Sequence, residues 1–155
     1  MAEKQEKCIT SQAGAFYKKQ PDEPENRITP EFLKKLLRSD MKQYYCTPEL
    51  NDILYLHYKG FEAIENLDAF TELKVLYIEG NAIGKLENLG FCSKLKCLYA
   101  QENLIKRIEN LENLEQLVSL NLSDNLLECV EGLANNMRLE NLQLKRNRIG
   151  ARGLS

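Results

Sequence analysis

Apolar residues recur along most of the chain in columns 22 positions apart. Leu73, Leu95, Leu117 and Leu139 form one column, and Leu54, Leu76, Leu98, Leu120 and Leu142 form a second. Leu56, Ile78, Ala100, Leu122 and Leu144 follow the second column at a spacing of two, as one buried face of a short strand requires. A returning arm supplies Phe61, Ile83, Ile105, Leu127 and Ile149. Behind it come Ile64, Leu86, Ile108 and Val130, and then Leu67, Leu89, Leu111 and Leu133. One coil of this length cannot bury such columns alone, so successive coils must stack. Each large apolar side chain that becomes fully buried contributes about 1.5–3 kcal/mol, so the columns dominate stability.

Asn81, Asn103, Asn125 and Asn147 stand at the turn after each strand, with Lys59 replacing the amide in the first coil. An amide there both donates to and accepts from backbone groups that a bend leaves unpaired, so the ladder reads as structural. The spacing L-x-x-L-x-L-x-x-N at a fixed period is that of leucine-rich repeats. It predicts an α/β solenoid, a right-handed superhelix with a parallel sheet on its concave side. Residues 47–155 make about five coils, the last incomplete.

Residues 29–46 predict a capping helix over the first coil. Thr29 suits the N-cap, Pro30 the first helical position and Glu31 the positive helix end. Phe32, Leu33, Leu36, Leu37 and Met41 form its apolar stripe, while Lys34, Lys35 and Arg38 face water. Residues 1–28, with few large apolar side chains, read as a flexible tail. At the other end Arg152 and Ser155 stand where earlier coils carry core residues. No cap follows, so the expectation is either that the chain continues as part of a longer protein, the favoured reading, or that a partner covers the last coil.

Strand residues that alternate with the core point to the concave side. They form three columns: Ile53, Val75, Cys97, Ser119 and Asn141; Tyr55, Tyr77, Tyr99, Asn121 and Gln143; His57, Glu79, Gln101, Ser123 and Lys145. The face runs from aromatic and aliphatic at the front to polar at the back. Tyrosine gives rigid amphipathic contact area, so the front half is the candidate partner surface. Its residues are Tyr55, His57, Val75, Tyr77, Glu79, Cys97, Tyr99 and Gln101.

Composition removes several functions. With 21 basic and 23 acidic residues the net charge is −2, which gives no whole-chain field for nucleic acid. No apolar run reaches the roughly 20 residues that span a bilayer. The 5 cysteines are Cys8, Cys46, Cys92, Cys97 and Cys129; they form no CxxC pair, and with the single histidine they give no zinc spacing. Their odd number predicts free thiols in a reducing compartment. Glu65, Glu87, Glu109 and Glu131 recur with the coil and read as surface rather than an acid/base pair. No nucleophile has an evident orienting partner and no phosphate loop is present, so neither an enzyme nor a cofactor is expected.

The "IENL" and "LENL" coil ends resemble the Sds22-like subgroup of leucine-rich repeats. A narrower resemblance is carried by "YYCTPELNDILYLHYKGFEAIENLDAFTELKVLYIEGNAIGKLENL" and continued by "CLYAQENLIKRIENLENLEQLVSLNLSDN". These stretches resemble the dynein axonemal assembly factor 1 family. That family commonly has Trp in the strand where Tyr77 sits, and this chain has none. The resemblance implies a non-enzymatic factor of the cytoplasm and the cilium or flagellum. Its expected partners are axonemal dynein arm chains or assembly chaperones, without nucleic acid or membrane. A phosphatase regulatory subunit and a spliceosomal partner protein are the alternatives within the wider subgroup.

Overall fold

The computed structural model describes residues 26–150. Five three-residue strands, β1 (Ile53–Tyr55), β2 (Val75–Tyr77), β3 (Cys97–Tyr99), β4 (Ser119–Asn121) and β5 (Asn141–Gln143), form one parallel sheet in chain order. The register pairs residues one period apart: Leu54 with Leu76, then Leu98, Leu120 and Leu142. The central leucine of each of β1 to β4 is fully buried, and its two neighbours are half-buried on the opposite face. The 22-residue period thus becomes a solenoid with one coil per strand.

Two rows of side chains hold the bends. Asn103 is buried; its Oδ1 accepts from the Ile83 N–H at 3.0 Å, and its Nδ2 donates to the Ile78 and Ala100 carbonyls at 3.0 and 3.1 Å. Asn81, Asn125 and Asn147 repeat the arrangement, so each amide ties its own coil to the one before. A second row was not anticipated. Asn66, Asn88 and Asn110 adopt φ of 61°, 58° and 62° and donate to the carbonyls of Ile28, Ile64 and Leu86. Gly132 takes this place in the next coil with φ 70°. The Asn that recurs in each "ENL", replaced once by Gly, is the sequence signal of a left-handed bend.

At the front, α1 (Pro30–Ser39) packs Leu33 and Leu37 onto the stack. Thr29 Oγ1 accepts from the Phe32 N–H at 3.0 Å. The helix stops at Ser39 because Ser39 and Asp40 bond locally to the backbone: Ser39 Oγ donates to the Leu36 carbonyl, and Asp40 Oδ1 accepts from the Lys42 N–H. Met41, expected in the apolar stripe, therefore lies beyond the helix and is exposed. Ile28, assigned to the tail by composition, is fully buried, and Arg27 forms a bidentate pair with Glu65. The rest of that tail, residues 1–25, lies outside the described residues.

Tyr44 and Asn51 complete the closure. Tyr44 is buried, and its hydroxyl accepts from the Tyr55 N–H at 3.2 Å on the outer edge of β1. Asn51 is also buried; its Oδ1 accepts from the Tyr45 N–H, and its Nδ2 donates to the Tyr45 and Thr47 carbonyls.

The last described coil is not covered by any described residue. Val130, Leu142 and Ile149, placed in core columns by periodicity, are exposed because no described coil stacks beyond them. Arg152 and Ser155 lie outside the described residues. Cys92 is buried in the column of Phe70 and Leu114, and burial pushes its thiol up to about 11. Cys97 and Cys129 are free thiols as well. Cys46 is disulfide-bonded, which departs from the expectation of free thiols throughout.

Candidate functional site: the concave sheet

The register of β1, β2 and β3 places Tyr55, Tyr77 and Tyr99 side by side. Their rings stack: Tyr55 and Tyr77 are 4.8 Å apart at 8°, and Tyr77 and Tyr99 are 4.8 Å apart at 15°. This spacing is the strand separation itself, so the sheet dictates the ring spacing. All three are half-buried, and burial is the main cause that raises the phenols of Tyr77 and Tyr99 above their ordinary value. Both hydroxyls remain protonated donors at neutral pH. Since stacking occupies the facing ring surfaces, the row presents phenolic edges and hydroxyls to a partner.

Val75 and Cys97 are half-buried on one side of the ladder, and His57, Glu79 and Gln101 are half-buried on the other. His57 meets Tyr55 edge to face at 5.9 Å and 76°. The eight residues singled out by the alternation therefore lie together on one face of three adjacent coils. Sequence reasoning did not single out Tyr58 for this face. It has φ 50°, its ring lies over Gly80, and its hydroxyl donates to Glu102 Oε2 at 3.1 Å. Only the pairing of an exposed aromatic with a Gly one period later hinted at that contact. The back of the face carries Asn121 and Gln143, with Asn121 Oδ1 accepting from the Ser123 N–H.

Elsewhere, carboxylates between coils are ion-paired: Glu65 with Arg27, Glu72 with Lys94, Asp124 with Arg146 and Glu131 with Arg107. The Arg27 guanidinium beside Glu65 holds that carboxyl below its ordinary range. Among the described residues no group of three or more His, Cys, Asp or Glu side chains is placed to hold a metal ion. No helix among them is long and apolar enough to cross a membrane.

No protein-family model matches the chain. Curated relatives match about a third of it. A dynein axonemal assembly factor 1 homolog of Drosophila melanogaster is 57% identical over 51 residues, covering 33% of this chain and 3% of the relative. Dynein axonemal assembly factor 1 of Peromyscus polionotus is 54% identical over 50 residues, 32% of this chain and 8% of the relative. The matched segment is thus a small part of each relative. Among solved structures, an internalin C2 of Listeria monocytogenes superposes with a TM-score of 0.61 at 28% identity, covering 75% of this chain and 56% of that one. A chain of the Drosophila melanogaster SNF/U2A′ complex gives a TM-score of 0.57 at 29% identity, covering 64% and 61%. The fold is that of the leucine-rich-repeat proteins, and over a third of its length the chain is similar to dynein axonemal assembly factor 1 proteins.

Proposed function

We propose that the chain is a non-enzymatic protein-binding scaffold that acts in the assembly of axonemal dynein arms. Its site of action is the cytoplasm of ciliated or flagellated cells, and its partners are dynein arm chains or the chaperones that fold them. The tyrosine ladder carries the reading: three stacked rings on the concave face form a rigid amphipathic surface, of the residue type enriched at binding hot spots. The names of the curated relatives support the choice of process. The likeness to a chain of the SNF/U2A′ complex supports a spliceosomal partner protein as the second reading.

Co-precipitation from cytoplasm of flagellated cells separates the two. Wild type is compared with the folded triple variant Tyr55→Ala/Tyr77→Ala/Tyr99→Ala. Recovery of dynein arm chains or their chaperones by wild type alone is expected. Equal recovery by both moves the site off the ladder. Recovery of splicing proteins in place of dynein chains refutes the assembly reading.

A further inference from the structure

Glu79 differs from the inter-coil carboxylates. It follows β2 on the exit edge of the concave sheet, is half-buried, and belongs to none of the four ion pairs. Its Oε2 is buried without a hydrogen-bond partner. The same holds for Gln101 Oε1 in the next coil and for His57 Nδ1 in the coil before. The two oxygens are acceptors only. One column thus holds two acceptor oxygens on adjacent coils that no donor among the described residues meets, and Ser123 Oγ in the following coil is likewise without a partner.

Aromatic residues neighbour this carboxylate, and its charge reaches two of them. Tyr77 precedes it on the same strand, and His57 is its neighbour one coil earlier. Tyr58 meets His57 edge to face at 5.8 Å and 89°. The Tyr58 ring also covers Gly80, the residue after Glu79: a Cβ there would lie 2.1 Å from the ring. The hydrogen bond from Tyr58 to Glu102 fixes that ring across two coils, and Glu102 adds a second negative charge nearby. The Glu79 charge reaches both neighbouring phenols. Tyr58 is raised first by its bond to Glu102, Tyr77 first by burial, and Glu79 adds to each.

We propose that this edge is a recess for one arginine side chain of a protein partner, with Glu79 as the counter-ion, Gln101 as a second acceptor, and His57 and Tyr58 as aromatic walls. The inference rests on the concave-face reading above. A guanidinium is planar, offers five donors in a fork and stacks on aromatic faces, so it matches acceptors on two adjacent coils beside rings. A bare carboxylate half out of water is poorly compensated, and a cation delivered by a partner restores the balance.

The test titrates N-acetyl-arginine amide into the full chain, follows backbone amide shifts at Glu79, Gly80 and Gln101, and uses N-acetyl-citrulline amide as the neutral isostere. Loss of a charge-assisted hydrogen bond predicts binding weaker by about tenfold for citrulline, and by about tenfold for arginine in Glu79→Gln. Glu128→Gln, a change at an exposed residue, is expected to bind arginine like wild type. Equal shifts with both probes, or an unaltered Glu79→Gln, overturn the proposal. The Glu79 side chain has no hydrogen-bond partner among the described residues, and its carbonyl, which accepts from the Tyr58 N–H, is untouched by the change, so the isosteric variant is expected to keep its thermal transition. Co-precipitation then distinguishes the two levels. If Glu79→Gln retains partners that the triple tyrosine variant loses, the arginine recess fails and the concave-face reading stands. If the triple variant also retains them, both fall.

Discussion

Replacing Asn103 by Ala tests whether the amide ladder holds the coils together. Four hydrogen bonds disappear, but they are not equivalent: the Gln101 carbonyl, which Asn103 Nδ2 also reaches at 3.2 Å, still accepts from the Gly80 N–H at 3.1 Å. The Ile78 carbonyl still accepts from Asn81 Nδ2 at 2.8 Å, and the Ala100 carbonyl still accepts from Asn125 Nδ2 at 3.0 Å. The Ile83 N–H loses its acceptor, Asn103 Oδ1, inside a buried bend. One orphaned buried donor costs about 1–3 kcal/mol, and the spared carbonyls add little. Asn103→Ala is therefore expected to lose about 2 kcal/mol, a shift of about 1 M in the urea midpoint at an m-value of about 2 kcal/mol/M. Asn103→Asp keeps an acceptor for Ile83 but turns a carboxylate oxygen toward the Ile78, Ala100 and Gln101 carbonyls, so it should lose more at neutral pH. Asn147→Ala should lose less, because Asn147 is only half-buried and water can replace its bonds. Urea unfolding followed by far-UV circular dichroism measures all three. An Asn103→Ala midpoint equal to that of wild type, or a larger loss at Asn147, would refute the ladder as the structural tie.

Gly132→Ala should destabilise by about 1–3 kcal/mol, because the backbone sits at φ 70° and a Cβ would meet the Ile108 carbonyl oxygen at 2.3 Å; thermal unfolding reads the loss, and an unchanged midpoint contradicts the close approach. Iodoacetamide at pH 8 should label exposed Cys129 and spare Cys92, whose thiol is buried and raised to about 11, until the chain unfolds. Mass spectrometry of the labelled peptides decides this, and early labelling of Cys92 would place it outside the core. Glu65, lowered from its ordinary 4.5 by Arg27, contributes stability that is present above pH 4.5 and is lost as pH falls through its lower folded value. In Arg27→Gln the Glu65 carboxyl should titrate at higher pH by NMR, and an unmoved titration would show that the pair is not formed.

How much was legible in the sequence differs between the repeating and the closing parts of the molecule. The inner residues of the columns of Leu76 and Asn103 meet nearly the same surroundings one coil away, so their periodicity alone implied the stack, the first row of bend amides and the three aligned tyrosines. The alternation around Leu54, Leu76 and Leu98 likewise implied that Tyr55, His57 and Glu79 share the concave side. Other features depend on contacts that no column repeats. Tyr44 closes the β1 edge from 11 residues away, and Tyr58 reaches Glu102 across 44. Ile28 became core only because the segment before α1 docks on the first coil, and Val130 was lost from the core because nothing described covers it. A repeating pattern encodes an environment when each coil supplies it to the next. At the ends of the stack, and where a side chain spans two coils, the environment comes from unique neighbours, and only the tertiary structure decides it.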